Sequence, residues 1–227
     1  MHLGANNPCD SYNFNNRTTE CVESLRDLGV IVDSGLTFDA HVNNVVSKAY
    51  ARIAMLFRGF FYTKHYIITP CIQTYVRPIL EYASSVWNPH LLKHINALEG
   101  VQRHFTKRHL SYEERLACLE LDTLECRHLK ADLTLIHCTI KSCIILLRGP
   151  SIVTLTCLFT LAIFMRLTEC RSDFYISAPF CRTLAYQNDF FHRCVSCWNI
   201  LPSAVTNATF LKLFRNVLAR VDLTNHL

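Results

Sequence analysis

"DAHVNNVVSKAYARIAMLFRGF", residues 39–60, is the stretch that sets the fold class. Its apolar side chains recur at steps of three and four residues, which is the spacing of one face of an α-helix. Asp39 lies where an N-terminal capping residue would stand. The stretch therefore predicts a long amphipathic helix. Its apolar positions are Val42, Val45, Val46, Ala49, Ile53, Leu56, Phe57 and Phe60.

Two prolines follow this helix and indicate further helix starts. Thr69 with Pro70 predicts an N-cap followed by a proline in the first turn. Pro78 predicts the start of a helix over "PILEYASSVW" that ends at Asn88-Pro89.

A third amphipathic pattern covers residues 91–109, and two capping-box spacings come after it. Ser111 with Glu114 and Asp122 with Glu125 each place an acidic side chain three residues after a capping residue. Each pair predicts a new helix, so residues 39–140 are predicted to form a helical bundle.

The segment before the bundle indicates β-structure. The run "DLGVIV", Asp27–Val32, is β-branched, follows a turn-rich stretch and ends at the turn signal Asp33–Gly35. We therefore expect a small N-terminal hairpin. The predicted fold is mainly α, with this hairpin and a helical C-terminal segment. In that segment one helical face is formed by Phe210, Leu213, Phe214, Val217, Leu218 and Val221.

An apolar segment, residues 143–170, interrupts the pattern. "SIVTLTCLFTLAIFM", residues 151–165, carries no charge over fifteen residues. A membrane span needs about twenty apolar residues, and joining this run to "CIILL" would bury Arg148 and Pro150. A buried helix or an out-of-frame segment is therefore favoured over a membrane anchor at 143–167.

Composition places the chain among globular proteins. Hydrophobic residues make up 50% and charged residues 18%, which excludes a disordered tail. The net charge of +5 arises between Lys48 and Lys130, where twelve basic residues face seven acidic ones. The twelve cysteines show no regular spacing and indicate buried, reduced thiols.

Catalytic and metal-binding patterns are weak. No Asp-Asp pair is present to hold two metal ions. Cys194 and Cys197, with Cys181 and His192 nearby, could form a zinc site, but the second pair lacks the tight spacing of zinc modules. Apolar packing of the cysteines is the favoured interpretation, and no catalytic residue, metal ligand or cofactor site is predicted.

A basic helix is the remaining candidate site. In "LEGVQRHFTKRHL", residues 98–110, Arg103, Lys107 and Arg108 could neutralise phosphates, and Lys48 and Arg52 are the next candidates. The alternative is a solvated helix surface.

Several segments in one order resemble the C-terminal part of reverse transcriptases from non-LTR retrotransposons of the LINE type, the jockey and CR1 group. They cover residues 1–142 and 171–220. The segments are "MHLGANNPCDSY", "LRDLGVIVDSGLTFDAHVNNVVSKA", "YVRPILEYASSVWNP", "LEGVQRHFTKR", "SYEERLACLELDTLECRHLKADL" and "DFFHRCVSCWNILPSAVTNATFLKLFR".

This resemblance implies a domain plan. Residues 1–37 would be a palm-edge hairpin with the "DLGV" strand near the primer, 38–142 a helical thumb, 143–170 the apolar segment and 171–227 the C-terminal block. The segment that holds Trp87 would shape a corner of the thumb, and packing is favoured over base stacking for that side chain.

The resemblance also implies a function. The thumb would grip an RNA/DNA template-primer weakly and without sequence preference, together with a separate palm or a full-length element protein. The palm aspartates are missing, so we expect no polymerase activity from this chain alone, and Mg²⁺ is expected only for an intact polymerase. The alternatives are a small protein anchored in a membrane through 143–167 and a non-functional relic. The sequence indicates no compartment.

Overall fold

The computed structural model describes residues 1–3, 7–59, 65–106, 111–147, 166–167, 176–177, 180–181 and 184–223. The chain forms two compact units, Met1–Leu121 and Asp122–Leu227. The fold is mainly helical with a small antiparallel hairpin near the N-terminus, which confirms the predicted fold class.

In the first unit the strands precede the helices in the sequence. They are β1 (Asn13–Phe14), β2 (Arg17–Thr18), β3 (Ser24–Asp27), β4 (Val30–Asp33), α1 (Asp39–Gly59), α2 (His65–Tyr75), α3 (Arg77–Glu81), α4 (Ser84–Trp87), α5 (Leu92–Phe105) and α6 (Tyr112–Cys118).

The hairpin of β3 and β4 turns at Leu28 and Gly29. Both residues have positive φ, 44° and 92°, as the tight turn of a two-residue hairpin requires. The sequence prediction of a strand through "DLGV" is therefore wrong at its centre, because this stretch is the turn and not a strand. Gly29 accepts the left-handed conformation readily, whereas Leu28 adopts it against its preference.

Helix α1 is confirmed almost residue for residue, and it organises the first unit. It buries Val42, Val45, Ala49 and Ile53, and it contacts β4, α2, α3 and α5. Apolar burial along this stripe is what fixes an amphipathic helix in a protein, since an isolated helix of this length is only marginally stable in water.

Asp39 does not cap α1 as predicted. It is the first residue of the helix, and its carboxylate binds Lys93 Nζ at 2.7 Å and His94 Nε2 at 2.6 Å at the start of α5. In the loop before α1, the Asp33 carboxylate accepts hydrogen bonds from the backbone N–H groups of Thr37 and Phe38. Asp39 therefore joins two helices.

The two proline predictions have different outcomes. Helix α2 begins at His65 and contains Pro70, so the predicted N-cap at Thr69 is wrong; proline inside a helix removes one backbone hydrogen bond, and here the helix continues past it. Pro78 lies in the first turn of α3 as predicted. The helix over "PILEYASSVW" is broken, however, because Ala83 is left-handed with φ 53° and separates α3 from α4.

Helix α5 matches the third predicted pattern over Leu92–Phe105, and residues 107–109 of that prediction lie outside the described residues. The capping box at Ser111 and Glu114 is confirmed at the start of α6, where each side chain accepts a backbone N–H of the other residue.

The second unit begins with one long helix and ends with a group of shorter ones. Its elements are α7 (Leu124–Leu147), β5 (Arg166–Leu167), β6 (Ile176–Ser177), α8 (Leu184–Gln187), α9 (Phe190–Ile200), α10 (Ser203–Thr206) and α11 (Leu211–Leu218).

The second predicted capping box is wrong. Thr123 caps α7, since its hydroxyl accepts a hydrogen bond from the backbone N–H of Cys126. Asp122 instead pairs with Lys130 at 2.8 Å, two turns along the helix. A side-chain hydroxyl that stands immediately before the first turn can reach its free N–H groups.

The apolar core of the second unit lies between α7, α9 and α11. Trp198, Phe214, Leu133 and Ile136 are among its fully buried side chains. The predicted apolar face of α11 is confirmed only in part, because Phe210 and Leu213 are exposed while Phe214 and Leu218 are buried.

The end of α9 is tied to β6 through one side chain. The Asn199 amide accepts a hydrogen bond from the Ile176 N–H at 3.0 Å and donates one to the Ile176 carbonyl at 2.8 Å. Asn199 therefore satisfies both backbone groups of this strand residue.

The two units divide the chain inside the predicted thumb range, 38–142. The predicted division at 37/38 falls within the first unit, where β4 contacts α1, and the one at 142/143 falls within α7. The "CIILL" run is thus the end of α7, and residues 148–165 of the apolar segment lie outside the described residues. Among the residues that the structure describes, no helix combines the length and apolarity of a membrane span.

Candidate nucleic-acid interface

A groove runs along α1 on the side that faces the hairpin and α3. It consists of two neighbouring depressions of about 330 Å³ and 540 Å³, which share Lys48 and Ile79. We call this feature the basic groove. The first depression is lined in part by Arg26 from β3, Lys48 from α1 and Tyr82 after α3, and the second by Arg52 and Met55 from α1.

The charge of the basic groove has one sign. Arg26, Lys48 and Arg52 are exposed, and none of the described residues that line the groove is acidic. Within the described chain, no ion pair involves any of the three. Positive side chains that lie on apolar walls without neutralising partners attract anions and raise their local concentration.

The predicted phosphate-binding residues lie in two places. Lys48 and Arg52 are one helical turn apart and line the same groove, whereas Arg103 does not line it. The Arg103 guanidinium lies 5.0 Å from the ring centroid of Tyr112 in α6. Lys107 and Arg108 lie outside the described residues.

Arg26 and Tyr82 are not among the binding residues that the sequence predicts. Arg26 reaches the groove because β3 pairs with β4 and β4 packs on α1, and no local pattern signals that arrangement. Tyr82 lies in a stretch that the sequence predicts as continuous helix, where its place after a helix end could not be anticipated.

Tyr82 is held at three points. Its hydroxyl donates to the Leu28 carbonyl at 2.9 Å, its carbonyl accepts from the Trp87 indole N–H at 2.8 Å, and its N–H donates to the Pro78 carbonyl at 3.1 Å. The Tyr82 residue is nevertheless 57% exposed to solvent, whereas Trp87 is 1% exposed. The packing interpretation of Trp87 is therefore confirmed, and Tyr82 is the aromatic side chain that is open to the groove.

His41 lies at the buried edge of the groove. Its Nδ1 accepts a hydrogen bond from the Ile31 N–H at 3.2 Å, and its ring meets the Trp87 ring at a centroid distance of 5.0 Å. Burial lowers the pKa of His41, and the nearby charges of Lys48 and Arg26 lower it further. The neutral ring is thus favoured in the folded protein.

The depressed pKa of His41 predicts a loss of stability in acid. In the unfolded chain His41 binds a proton near pH 6.5, whereas in the folded chain it binds one only at lower pH. The free energy of unfolding is therefore unaffected by His41 above about pH 6.5 and declines as the pH falls below that value. We expect the urea midpoint, followed by Trp87 fluorescence in a Trp198→Phe background, to fall with decreasing pH. His41→Gln should flatten this dependence, and an unchanged slope would contradict the prediction.

A second polar cluster lies under Arg103. Glu99 accepts a hydrogen bond from the Tyr112 hydroxyl, which also accepts one from Gln102 Nε2 at 3.0 Å. Burial raises the pKa of Tyr112, and the bond to Glu99 raises it further. The Arg115 guanidinium lies 5.4 Å from the centroid of the same ring, so two cations pack on one tyrosine.

Two of the three cysteines of the predicted zinc alternative pack in the second core, whereas Cys181 is only partly buried. Cys194 and Cys197 are buried among apolar side chains, and burial raises the pKa of both thiols. A zinc ligand is a thiolate, which such surroundings disfavour. Across the described ranges, no cluster of three or more His, Cys, Asp or Glu side chains could hold a metal ion.

Comparison with known proteins finds similarity to a nematode protein over part of the chain. The chain is 30% identical over 101 residues to an uncharacterized protein of Caenorhabditis elegans. The match covers 41% of this chain and 51% of the relative, so it spans about half of the relative's length. No family model matches the chain, and no solved structure matches it. The resemblance to reverse transcriptases stays a prediction from the quoted segments.

Proposed function

We propose that this chain is the thumb-like part of an RNA-directed DNA polymerase of the non-LTR retrotransposon type, and that the basic groove binds the sugar-phosphate backbone of a template-primer. The observation that carries the proposal is the convergence of Arg26, Lys48 and Arg52 on one groove without an acidic neighbour in its described lining. Contacts of this type fix a nucleic acid in position but read no sequence.

Binding would be weak, electrostatic and sequence-independent. Each phosphate that a lysine or arginine neutralises releases condensed counterions, so the affinity falls as the salt concentration rises. Arg103 in α5, with Lys107 and Arg108 that follow it in the sequence, would supply a second group of backbone contacts. Polymerisation itself would need a palm with paired carboxylates and Mg²⁺, and these belong to the intact polymerase.

The first test is removal of the groove charges. We expect Arg26→Ala, Lys48→Ala and Arg52→Ala together to weaken binding of a labelled RNA/DNA hybrid by about 10- to 100-fold and to reduce the salt slope by about two to three. The reason is that up to three backbone contacts disappear. Fluorescence anisotropy over a series of salt concentrations measures both quantities.

The matched control removes the same charge from the other unit. Lys212, Arg215 and Arg220 are exposed at or just after α11, and their triple replacement by alanine should change the affinity much less than the groove variant. Equal losses in the two variants would show that only net charge matters, and this would contradict the proposal. A third variant, Arg103→Ala, Lys107→Ala and Arg108→Ala, tests the second contact group in the same assay.

A further inference from the structure

We propose that the first depression of the basic groove receives a single-stranded segment, with one unstacked base on the ring of Tyr82 and the neighbouring phosphates on Arg26 and Lys48. This inference rests on the proposed function, because it assumes that the groove binds nucleic acid. It specifies that this part of the groove binds a single strand.

The rigidity of Tyr82 is the first feature that favours stacking of a base. The three hydrogen bonds to Leu28, Trp87 and Pro78 fix its backbone and the far end of its ring. The ring edge also lies close to Gly29, where an added Cβ atom would be 3.5 Å from Cε1 of Tyr82. A ring that is already ordered loses little conformational entropy when a base stacks on it.

The size of the first depression is the second feature that favours stacking of a base. A depression of about 330 Å³ is at the lower end of the range for small-ligand pockets and is large enough for a single base. In a duplex both faces of a base are covered by its neighbours. Stacking on Tyr82 therefore requires a base that has left the helical stack, as in single strands.

The position of the positively charged side chains is the third feature that favours a single strand. Arg26 and Lys48 line the same depression as Tyr82, while Arg52 lies farther along the shared groove. A strand whose base contacts the ring must bring its phosphates past these cations. An aromatic platform beside a basic track is the arrangement that binds single strands without sequence preference.

The experiment separates the base from the backbone. Full-length wild-type protein and the variants Tyr82→Leu and Tyr82→Phe are titrated into labelled oligothymidylate, oligouridylate and an abasic phosphodiester oligomer of the same length. Leucine keeps apolar bulk without an aromatic face, and phenylalanine keeps the face without the hydroxyl. Far-ultraviolet circular dichroism and the urea midpoint compare the folding of each variant with that of the wild type.

We expect Tyr82→Leu to weaken binding of both base-containing oligomers by about tenfold and to leave the abasic oligomer unchanged, whereas Tyr82→Phe retains most of the affinity. Equal loss for all three oligomers, or no loss for any, would overturn the inference.

The charge variant distinguishes this inference from the proposed function. Suppose that Arg26→Ala, Lys48→Ala and Arg52→Ala together weaken binding of the abasic oligomer, while Tyr82→Leu weakens binding of all three oligomers equally or of none. The groove then binds the backbone only, and the inference fails while the proposed function stands. If the charge variant weakens binding of no oligomer and of no hybrid, both the inference and the proposed function fail.

Discussion

Replacing Arg193 by methionine is expected to lower the free energy of unfolding of the second unit by about 3–5 kcal/mol. Arg193 in α9 donates to Asp132 Oδ2 in α7 through Nε and Nη2, both at 3.0 Å, and Asp132 is fully buried. Removal of the guanidinium takes a cation away from a carboxylate that lies in a low-dielectric core. The cost is mainly electrostatic, since methionine fills much of the same volume.

The measurement is urea unfolding followed by fluorescence. The sequence holds two tryptophans, so a Trp87→Phe background leaves Trp198 in the second core as the reporter. Arg215→Met removes an exposed arginine from α11 and should change the stability by less than about 0.5 kcal/mol.

The double variant Arg193→Met with Asp132→Leu tests the cause. If loss of the cation beside the buried carboxylate is responsible, this variant should recover a large part of the lost stability, because it replaces the ion pair by apolar groups. A double variant less stable than Arg193→Met would show that the packing of the two side chains, and not the loss of the cation, explains the lower stability.

Replacing Phe214 by alanine should cost about 3–5 kcal/mol as well, for a different reason. Phe214 is fully buried and stacks on the His137 ring at a centroid distance of 4.1 Å and on the Trp198 ring at 6.0 Å. Alanine would leave a cavity between α7, α9 and α11 and would remove both aromatic contacts.

Phe210 provides the control for this change. It stands immediately before α11 and is 74% exposed, so Phe210→Ala should shift the stability by no more than about 0.5 kcal/mol. The same urea assay measures both variants. Similar losses at the two positions would contradict the observed burial, and a loss of cooperativity in Phe214→Ala would indicate that the second core no longer packs uniquely.

The parts of the fold that were predictable are those fixed by local periodicity. The stripe of α1 and the capping box at Ser111 are local patterns, and both are confirmed. The turn at Leu28 and the break at Ala83 are not predictable in this way, because each places a residue with a side chain in the left-handed region against its own preference. Only surrounding contacts can impose such a backbone, and these contacts are distant in sequence.

The candidate site divides along the same line. Lys48 and Arg52 are separated by one helical turn, so their presence on one face follows from the helix itself. Arg26 and Tyr82 join them through strand pairing and through a hydrogen bond between residues 54 positions apart, Tyr82 and Leu28. Helix periodicity therefore predicts the first pair but not the second.

Asn199 acts as a substitute peptide group. Its amide carries one donor and one acceptor in the arrangement that a neighbouring strand would offer, and it uses both on Ile176. A helix side chain thereby completes a rung of β-type pairing and fixes the rotation of α9 about its own axis relative to β6. An aspartate at this position would have the same shape, but its oxygen would face the Ile176 carbonyl without a proton to share. The position therefore selects for an amide by its hydrogen-bonding pattern and not by its size.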